Sequence, residues 1–190
     1  NGYKSKSLFK PSMVKTCMDE YNDLITYLDG DAQLCGNLNE VEGDDFDIGV
    51  TLRESDELES EWHQEHMEIV KYINAGVIFF NPTPAARSFV DEWLKCTEEM
   101  GNDQMALNKL TCPEHYPEAN SISTISGVRI KYFPCAQFNY YYFEEKYEPN
   151  IKIMHFKGPV RHFYPFNKTK RLYCRLVVPI KNKIRRLVQF

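Results

Sequence analysis

The most informative stretch of the sequence is LITYLDGD, residues 24–31. Its first five residues are apolar, aromatic or β-branched and lie between polar clusters, which predicts a buried strand. This strand delivers Asp29 and Asp31 at its C-terminal end, where ligands bind in open α/β sheets. Two carboxylates this close repel each other unless a cation lies between them, and oxygen ligands suit Mg²⁺ or Mn²⁺. A polar turn after a strand is the alternative interpretation.

The composition indicates one globular domain. The chain has 190 residues, enough to bury a sizeable core, and its content of 43% hydrophobic and 26% charged residues is ordinary for a folded protein. Six cysteines are scattered without a CxxC pair, which argues against a zinc ribbon or a disulfide framework and favours reduced thiols. Reduced thiols lead us to expect a cytoplasmic protein, with peripheral contact to a membrane as the alternative. No apolar run reaches the length of a transmembrane helix, and no secretory signal opens the chain.

Charge is divided unevenly along the chain. Residues 149–190 contain no Asp or Glu but eleven lysines and arginines. Apolar residues are interleaved with these cations in the tail, residues 168–190, which predicts short amphipathic helices that attract phosphates or an anionic lipid surface. A non-catalytic phosphate- or membrane-surface-binding module is therefore one alternative function. The cations lack a nucleic-acid-binding motif, so no nucleic-acid partner is expected.

Hydrophobic periodicity predicts strands interspersed with helices. We expect helices over 11–22, 84–100 and around 103–108, and strands over 24–28, 46–52, 72–80, 128–133 and 151–156. Thr83 and Pro84 are typical of a helix start, and Gly101 is expected to end that helix. Its apolar stripe, Phe89, Trp93, Cys96 and Met100, predicts core. The pattern indicates an α/β fold with a mostly parallel, mixed sheet.

Four motifs occur in an order that resembles a known enzyme family. They are DGD at 29–31, NAGV at 74–77, DQxxLN at 103–108, and HFKG at 155–158 followed by Arg161. Together they resemble the nucleotide-sugar-dependent glycosyltransferases of the GT-A fold, and most of all the family 8 pattern of glycogenin-like and bacterial lipopolysaccharide enzymes. The resemblance covers residues 10–165 and implies a Rossmann-like mixed sheet flanked by helices.

The resemblance also implies a metal centre and a donor site. Asp29, Asp31 and His155 would hold Mn²⁺ or Mg²⁺, and the mixed oxygen and imidazole ligands favour Mn²⁺. Asp103 and Gln104 are the expected catalytic pair near the reacting carbon. The implied donor-binding residues are Lys10, Asp29, Asn74, Ala75, Gly76, Asp103, Gln104, Gly158 and Arg161. Arg161 stands where the family usually has a lysine that grips the diphosphate, and arginine can bind it with a bidentate fork.

The implied reaction is transfer of a sugar from a nucleoside diphosphate sugar, expected to be a UDP-sugar, with retention of configuration. The acceptor would be a hydroxyl of a glycan or a lipid-linked sugar. Asn139 is an expected acceptor contact, and Tyr140 with the aromatic residues after it would stack on the acceptor sugar, with core packing as the alternative. An inverting enzyme would need a carboxylate base, for which an acidic loop offers Asp56, Glu57 and Glu61.

Several of these residues also have structural interpretations. A lone histidine on a strand, such as His155, is often a satisfied structural residue, and Asp103 with Gln104 at a helix start is ordinary capping chemistry. Asn74 and Gly76 are typical of a strand bulge.

The sequence departs from the family pattern before the first motif. A GT-A domain normally begins with a strand and helix that hold the nucleotide base, yet fewer than thirty residues precede Asp29. Either the chain is truncated or its base pocket is built differently. We expect one domain over residues 1–190 that lacks the usual N-terminal nucleotide-binding strand. Haloacid-dehalogenase-type phosphatases are an alternative class, because they also place Asp-x-Asp after an apolar strand and would use Asp29 as nucleophile. They continue with Gly-Thr or Gly-Val, whereas Ala32 and Gln33 follow here.

Overall fold

The computed structural model describes residues 2–42, 45–53, 58–59, 64–65, 71–141 and 150–156, with side chains from residue 8 onwards in the first helix. Several expectations lie outside these ranges. They concern Gly158 and Arg161 of the donor site, the acidic-loop carboxylates at 56, 57 and 61, and the basic tail over 168–190.

The described residues form five helices and seven strands. In chain order these are α1 (Gly2–Glu20), β1 (Ile25–Leu28), β2 (Ala32–Leu34), α2 (Asn39–Glu42), β3 (Ile48–Leu52), β4 (Ile73–Phe80), α3 (Pro84–Met100), α4 (Asp103–Thr111), β5 (Ile122–Ile125), β6 (Val128–Pro134), α5 (Cys135–Phe138) and β7 (Ile153–His155). Within these described residues, no helix combines the length and the apolar character needed to cross a membrane.

A five-stranded mixed sheet lies at the centre, in the order β1-β4-β3-β6-β5. Strand β4 runs antiparallel to both β1 and β3, β3 runs parallel to β6, and β5 runs antiparallel to β6. The α/β fold with a mixed sheet flanked by helices is confirmed. The expectation of a mostly parallel sheet is wrong for the described strands, because β4 inserts antiparallel between two strands of common direction and β5 forms a hairpin with β6.

The β5–β6 hairpin is an element that the sequence patterns missed. Ile125 pairs with Val128, so the connection has two residues, Ser126 and Gly127, with φ angles of 51° and 80°. Positive φ at both central residues matches the twist of the flanking strands, and glycine adopts it without strain.

A second, two-stranded sheet pairs β2 with β7 in antiparallel register, with Ala32 opposite His155. Both strands have three residues, too few for a periodic pattern, and β2 was not predicted. The pairing is decisive for the site, since it brings the end of the described chain next to Asp31.

The core lies on both faces of the central sheet. Every residue of β3 and β4 is buried, as expected for strands with neighbours on both sides. Helix α3 covers one face with Phe89, Trp93 and Cys96 buried and Met100 packed against them, and Trp93 stacks on Phe80 of β4 with ring centroids 6.1 Å apart. The predicted core stripe of this helix is therefore confirmed.

The predicted ends of α3 are also confirmed. The hydroxyl of Thr83 accepts a hydrogen bond from the backbone N–H of Ala86, at 3.1 Å, and Pro84 follows at the first helical position. Gly101 ends the helix in the left-handed conformation with φ of 70°.

Helix α1 and strand β1 differ from expectation. Pro11 was expected to open the helix but lies inside it, since the helix already begins at Gly2. Pro11, Val14 and Met18 share one buried face of this helix. Strand β1 was expected to be buried, but its four residues are only partly so. It forms one end of the sheet that the described strands make, so it has one strand neighbour instead of two.

Candidate functional site

Asp29 and Asp31 lie in a tight turn between β1 and β2, called here the DGD turn (residues 29–32). The N–H of Ala32 donates to the carbonyl of Asp29 at 2.8 Å, which closes the turn. The N–H of Asp29 donates to the carbonyl of Gly76 in β4 at 2.9 Å. The sheet thus holds both carboxylates at the C-terminal end of β1.

His155 reaches the same place from the end of the described chain. The N–H of Phe156 donates to the carbonyl of Asp31 at 2.8 Å, so β7 is held against the DGD turn. The Nε2 atom of His155 lies 3.1 Å from Oδ1 of Asp31 and 3.8 Å from Oδ2 of Asp29. The structure therefore brings together the three predicted metal ligands, whose ligand atoms all lie within 4.8 Å of one another.

These separations fit one divalent ion. Octahedral Mg²⁺ with bonds of about 2.1 Å places neighbouring ligands about 3.0 Å apart and opposite ligands about 4.2 Å apart. The distances of 3.1 and 3.8 Å from Nε2 to the carboxylate oxygens lie in that range. Carboxylate oxygens with one imidazole are also a ligand set that Mn²⁺ accepts.

The histidine ring lies against a bulged stretch of β4, and it fits there because residue 76 is a glycine. Ile78 pairs with Val50 and Asn74 with Thr51, so the register jumps across what we call the β4 bulge (residues 74–78). A Cβ on Gly76 would lie 2.3 Å from Cε1 of His155, closer than any real contact. The side chain of Asn74 accepts from the N–H of Gly76 at 2.9 Å. The expected bulge at these residues is confirmed, and the missing side chain of Gly76 makes room for the ring.

A second cluster surrounds Lys10, which extends from α1. Its Nζ lies 3.1 Å from Oδ1 of Asp29 and 2.9 Å from Oδ2 of Asp103, and it donates to the carbonyl of Ala75 at 2.9 Å. These four residues of the predicted donor site are thus brought together. The ammonium group links the carboxylate of the DGD turn to the one at the start of α4.

Tyr27 is a residue of this cluster that the sequence patterns missed. Its hydroxyl donates to Oδ1 of Asp29 at 3.0 Å, and the Nζ of Lys10 lies 5.0 Å from its ring centroid. Burial, and then the nearby charge of Asp29, raise the pKa of Tyr27 well above its ordinary value, so the hydroxyl stays a donor. The sequence could have indicated this contact, because Tyr27 lies two residues before Asp29 and residues two apart on a strand share a face.

Helix α4 supplies Asp103 and Gln104. The cap of this helix is Asn102, whose Oδ1 accepts from the N–H of Met105 at 3.0 Å, and this leaves the Asp103 carboxylate to bind Lys10. The amide of Gln104 accepts from the N–H of Ala75 at 2.8 Å and donates to the carbonyl of Ile73 at 2.6 Å. Gln104 therefore stabilises the β4 bulge, and its catalytic role stays a prediction.

The two expected acceptor contacts lie beneath the site. Asn139 is completely buried, with Oδ1 at 2.9 Å from Nδ1 of His155 and Nδ2 donating to Oγ1 of Thr51 at 2.7 Å. These contacts count against an acceptor role and were invisible in the sequence, because they depend on long-range strand pairing. Tyr140 is also buried and packs with Met154 and Phe156, and its acceptor role stays a prediction.

A protein-family model provides the decisive comparison. A model described as nucleotide-diphospho-sugar transferase matches residues 34–171, well over half of the chain. The chain belongs to the nucleotide-diphospho-sugar transferase family. The matched span of this transferase holds Asn74, Asp103 and His155, and it begins just after the DGD turn. No curated protein matches the chain.

A solved structure is similar to the transferase in fold. It is the crystal structure of the glycosyltransferase GlyE from Streptococcus pneumoniae TIGR4, with a TM-score of 0.50 and 14% sequence identity. The alignment covers 86% of this chain and 43% of that chain, so the transferase spans less than half the length of GlyE. At this identity the likeness shows the fold alone, and the narrower resemblance to family 8 stays a prediction.

Proposed function

We propose that this transferase moves a sugar from a nucleoside diphosphate sugar, with a UDP-sugar as the expected donor, to a hydroxyl of a glycan or lipid-linked acceptor. Mn²⁺ or Mg²⁺ is the proposed cofactor, and retention of configuration is part of the proposal. One observation supports it above all. Asp29, Asp31 and His155 converge beside Lys10 and Asp103 in a member of a nucleotide-sugar transferase family.

Electrostatics supports a cation at this place. Three carboxylates, those of Asp29, Asp31 and Asp103, meet one ammonium group, that of Lys10. When His155 is neutral, two negative charges are left unbalanced, which is the charge of one divalent ion. Held by Asp29, Asp31 and His155, such an ion would neutralise the negative charge of a departing diphosphate.

The residues around the carboxylates have distinct proposed tasks. Lys10 keeps the carboxylates of Asp29 and Asp103 at a fixed separation, and Tyr27 stays protonated and orients Asp29. Asp103, which is not needed as a helix cap, is the proposed contact to the donor sugar. Gln104 shapes the strand beneath that sugar through Ile73 and Ala75.

Arg161 and Gly158, within the span that matches the family model, are proposed to bind the diphosphate. We propose that residues 1–190 form one domain. The family membership favours sugar transfer over the haloacid-dehalogenase alternative. Asp29 is moreover bound on Oδ1 by Lys10 and Tyr27, an arrangement that suits a ligand held in place better than an attacking nucleophile.

Release of nucleotide from a panel of UDP- and GDP-sugars tests the proposed activity. We expect Mn²⁺-dependent release from one donor, and a loss of about a hundredfold or more in Asp31→Ala, since groups that stabilise transition-state charge contribute on this scale. Asp91→Ala is the matched control, because Asp91 is an exposed carboxylate on α3 paired with Lys15. Turnover that needs no metal, or that survives in Asp31→Ala, would contradict the proposal.

We also propose that the basic tail, residues 168–190, docks the transferase to an anionic lipid surface. The support is its run of cations among apolar residues. A chain ending at residue 167 should hydrolyse donor at the parent rate but lose binding to vesicles containing phosphatidylserine. Undiminished vesicle binding would contradict this part of the proposal.

A further inference from the structure

A row of hydrogen bonds runs beneath the site from the β4 bulge to His155. The hydroxyl of Thr51 donates to the backbone carbonyl of Asn74 at 3.0 Å. The Nδ2 of Asn139 donates to Oγ1 of Thr51 at 2.7 Å, and Oδ1 of Asn139 lies 2.9 Å from Nδ1 of His155. All four residues are at least 96% buried, so the protein itself must satisfy these groups. We call this row the relay.

The first member of the relay fixes the direction of every bond. A backbone carbonyl only accepts, so Thr51 must use its single hydroxyl proton on Asn74. The oxygen of Thr51 is then left as an acceptor, and Asn139 must turn its NH₂ group towards it. The carbonyl of Asn139 therefore faces His155, whose Nδ1 must donate.

We infer that Asn139, with Thr51 behind it, is a positioning residue that fixes the tautomer of His155. The ring carries its proton on Nδ1, so the lone pair of Nε2 points at Asp29 and Asp31. This inference rests on the proposed function, because it assigns that lone pair to a bound cation. It gives Asn139 a task in the site in place of the acceptor contact expected from the sequence.

The opposite arrangement shows what the relay prevents. If Asn139 were turned round, its NH₂ group would donate to Nδ1, and the ring proton would sit on Nε2. That proton would lie between Nε2 and Oδ1 of Asp31, which are 3.1 Å apart, where a metal ion needs an open lone pair. The relay keeps this position open to a cation.

The β4 bulge links the relay to the space that His155 occupies. The bulge supplies the carbonyl of Asn74 that begins the relay, and at Gly76 it supplies the missing Cβ that lets the ring approach. Two residues of the β4 bulge thus contribute to the site: Gly76 leaves space for the ring, and the carbonyl of Asn74 begins the relay.

Substitutions of Thr51 test the relay with little change in shape. Thr51→Val removes the hydroxyl and frees Asn139 to turn, so we expect Mn²⁺ affinity to fall about 10- to 100-fold at constant pH. Thr51→Ser keeps the hydroxyl and should restore affinity near that of the parent. Thr97→Val is the matched control, because Thr97 is equally buried and donates to the carbonyl of Trp93 in α3. It should lose stability and keep Mn²⁺ affinity.

Asn139→Asp keeps the inference testable where a Thr51 variant fails to fold. A carboxylate at this position still accepts from Nδ1–H, so Mn²⁺ should bind at least as tightly as to the parent. Nitrogen NMR of the metal-free parent gives an independent readout at a pH at which His155 is neutral. The ¹⁵N chemical shifts of His155 should show a protonated Nδ1 and an unprotonated Nε2. In Thr51→Val the other tautomer should be populated as well.

Two results would overturn the inference: a parent with its ring proton on Nε2, or a folded Thr51→Val protein with parental Mn²⁺ affinity. Failure of the proposed function looks different. In that case the parent itself binds no Mn²⁺ and Asp31→Ala behaves like it, while the tautomer in the NMR spectrum still decides for or against the relay.

Discussion

At the level of single residues, the site depends on a side chain that is missing. Gly76 leaves 2.3 Å between the position of its absent Cβ and Cε1 of His155. We expect Gly76→Ala to push the ring away from Asp31 and to weaken Mn²⁺ binding by at least about tenfold, the lower end of the effect of losing ligand orientation. Isothermal titration with Mn²⁺ measures it.

Gly49→Ala is the control for overpacking as such. A Cβ on Gly49 would lie 2.6 Å from Cε2 of Phe133 and 3.0 Å from Cδ2 of Phe79, both in the apolar core. Overpacking costs about 1–3 kcal/mol of stability, so both variants should unfold more easily. Only Gly76→Ala should lose Mn²⁺ affinity. Equal losses of Mn²⁺ affinity in both variants would contradict the role of Gly76 in leaving space for the His155 ring.

Tyr27 provides a second prediction about one residue. Tyr27→Phe removes the hydrogen bond to the Asp29 carboxylate, and hydrogen bonds to charged groups contribute about 1.5–3 kcal/mol. Since 1.4 kcal/mol corresponds to a factor of ten, we expect Mn²⁺ affinity to fall about 10- to 100-fold. Tyr132→Phe is the control, because Tyr132 is buried and donates to the carbonyl of Thr111. That variant should lose stability without losing Mn²⁺ affinity, and parental affinity in Tyr27→Phe would contradict the prediction.

The sequence predicted those site residues that belong to local motifs. Asp29, Asp31 and His155 stand in recognisable patterns, and the structure brings them together. Thr51 and Asn139 stand in no such pattern. Their contacts arise from the register between β3 and β4 and from the passage of β7 beside Asn139, and neither can be deduced from spacing along the chain.

At the level of secondary-structure elements, the contact of α4 with the β4 bulge is central. Gln104→Leu removes two hydrogen bonds to β4 and leaves the N–H of Ala75 and the carbonyl of Ile73 without that partner. We expect the free energy of unfolding to fall by about 1–3 kcal/mol, together with a loss of activity. Urea denaturation measures it, and a variant that loses activity at parental stability would indicate a directly catalytic Gln104 instead.

The opposite end of the sheet gives a prediction about pH. Asp47 precedes β3 and is buried, which alone would raise its pKa, but hydrogen bonds from Arg129 at 3.0 and 3.2 Å and from Thr83 at 2.8 Å hold the pKa below its ordinary value. The folded state therefore binds this proton less readily than the unfolded state. Asp47 contributes stability above about pH 4, its unfolded pKa, and that contribution is lost as pH falls through the lower folded pKa.

Asp47→Asn tests this linkage through unfolding measured between pH 2 and pH 7 (about the span of carboxyl titration). The variant should be less stable than the parent at neutral pH, and the difference should shrink at acidic pH. Asp91→Asn is the control, because it removes a carboxylate from an exposed surface pair and should cost little stability at neutral pH. A constant difference between Asp47→Asn and the parent across the range would contradict the assigned role.

Helices and long strands were easier to predict than short ones. The caps of α3 and the buried run of β4 follow from local chemistry, at Thr83, Gly101 and residues 73–80. The three-residue strands β2 and β7 are stable only as a pair, and β5 only as the edge of a hairpin. The antiparallel insertion of β4 is a matter of topology, which periodicity does not record.

At the level of the whole molecule, the fold gathers distant parts of the chain at one end of β1. Lys10 comes from the first helix and His155 from the last described strand, and both lie within 4 Å of the Asp29 carboxylate. The inserted β4 makes this possible, because its bulge lies directly beside the DGD turn. The order of the motifs allowed the fold class to be predicted, and the family match supports it.

The proposed metal centre is tested by two calorimetric titrations, Mn²⁺ into the transferase and then UDP into the metal-loaded protein. We predict that Mn²⁺ binds one site of the parent, that UDP binds only when the metal is present, and that Asp31→Ala binds neither. Equal UDP binding with and without Mn²⁺, or undiminished Mn²⁺ binding to Asp31→Ala, would contradict a metal centre built from Asp29, Asp31 and His155.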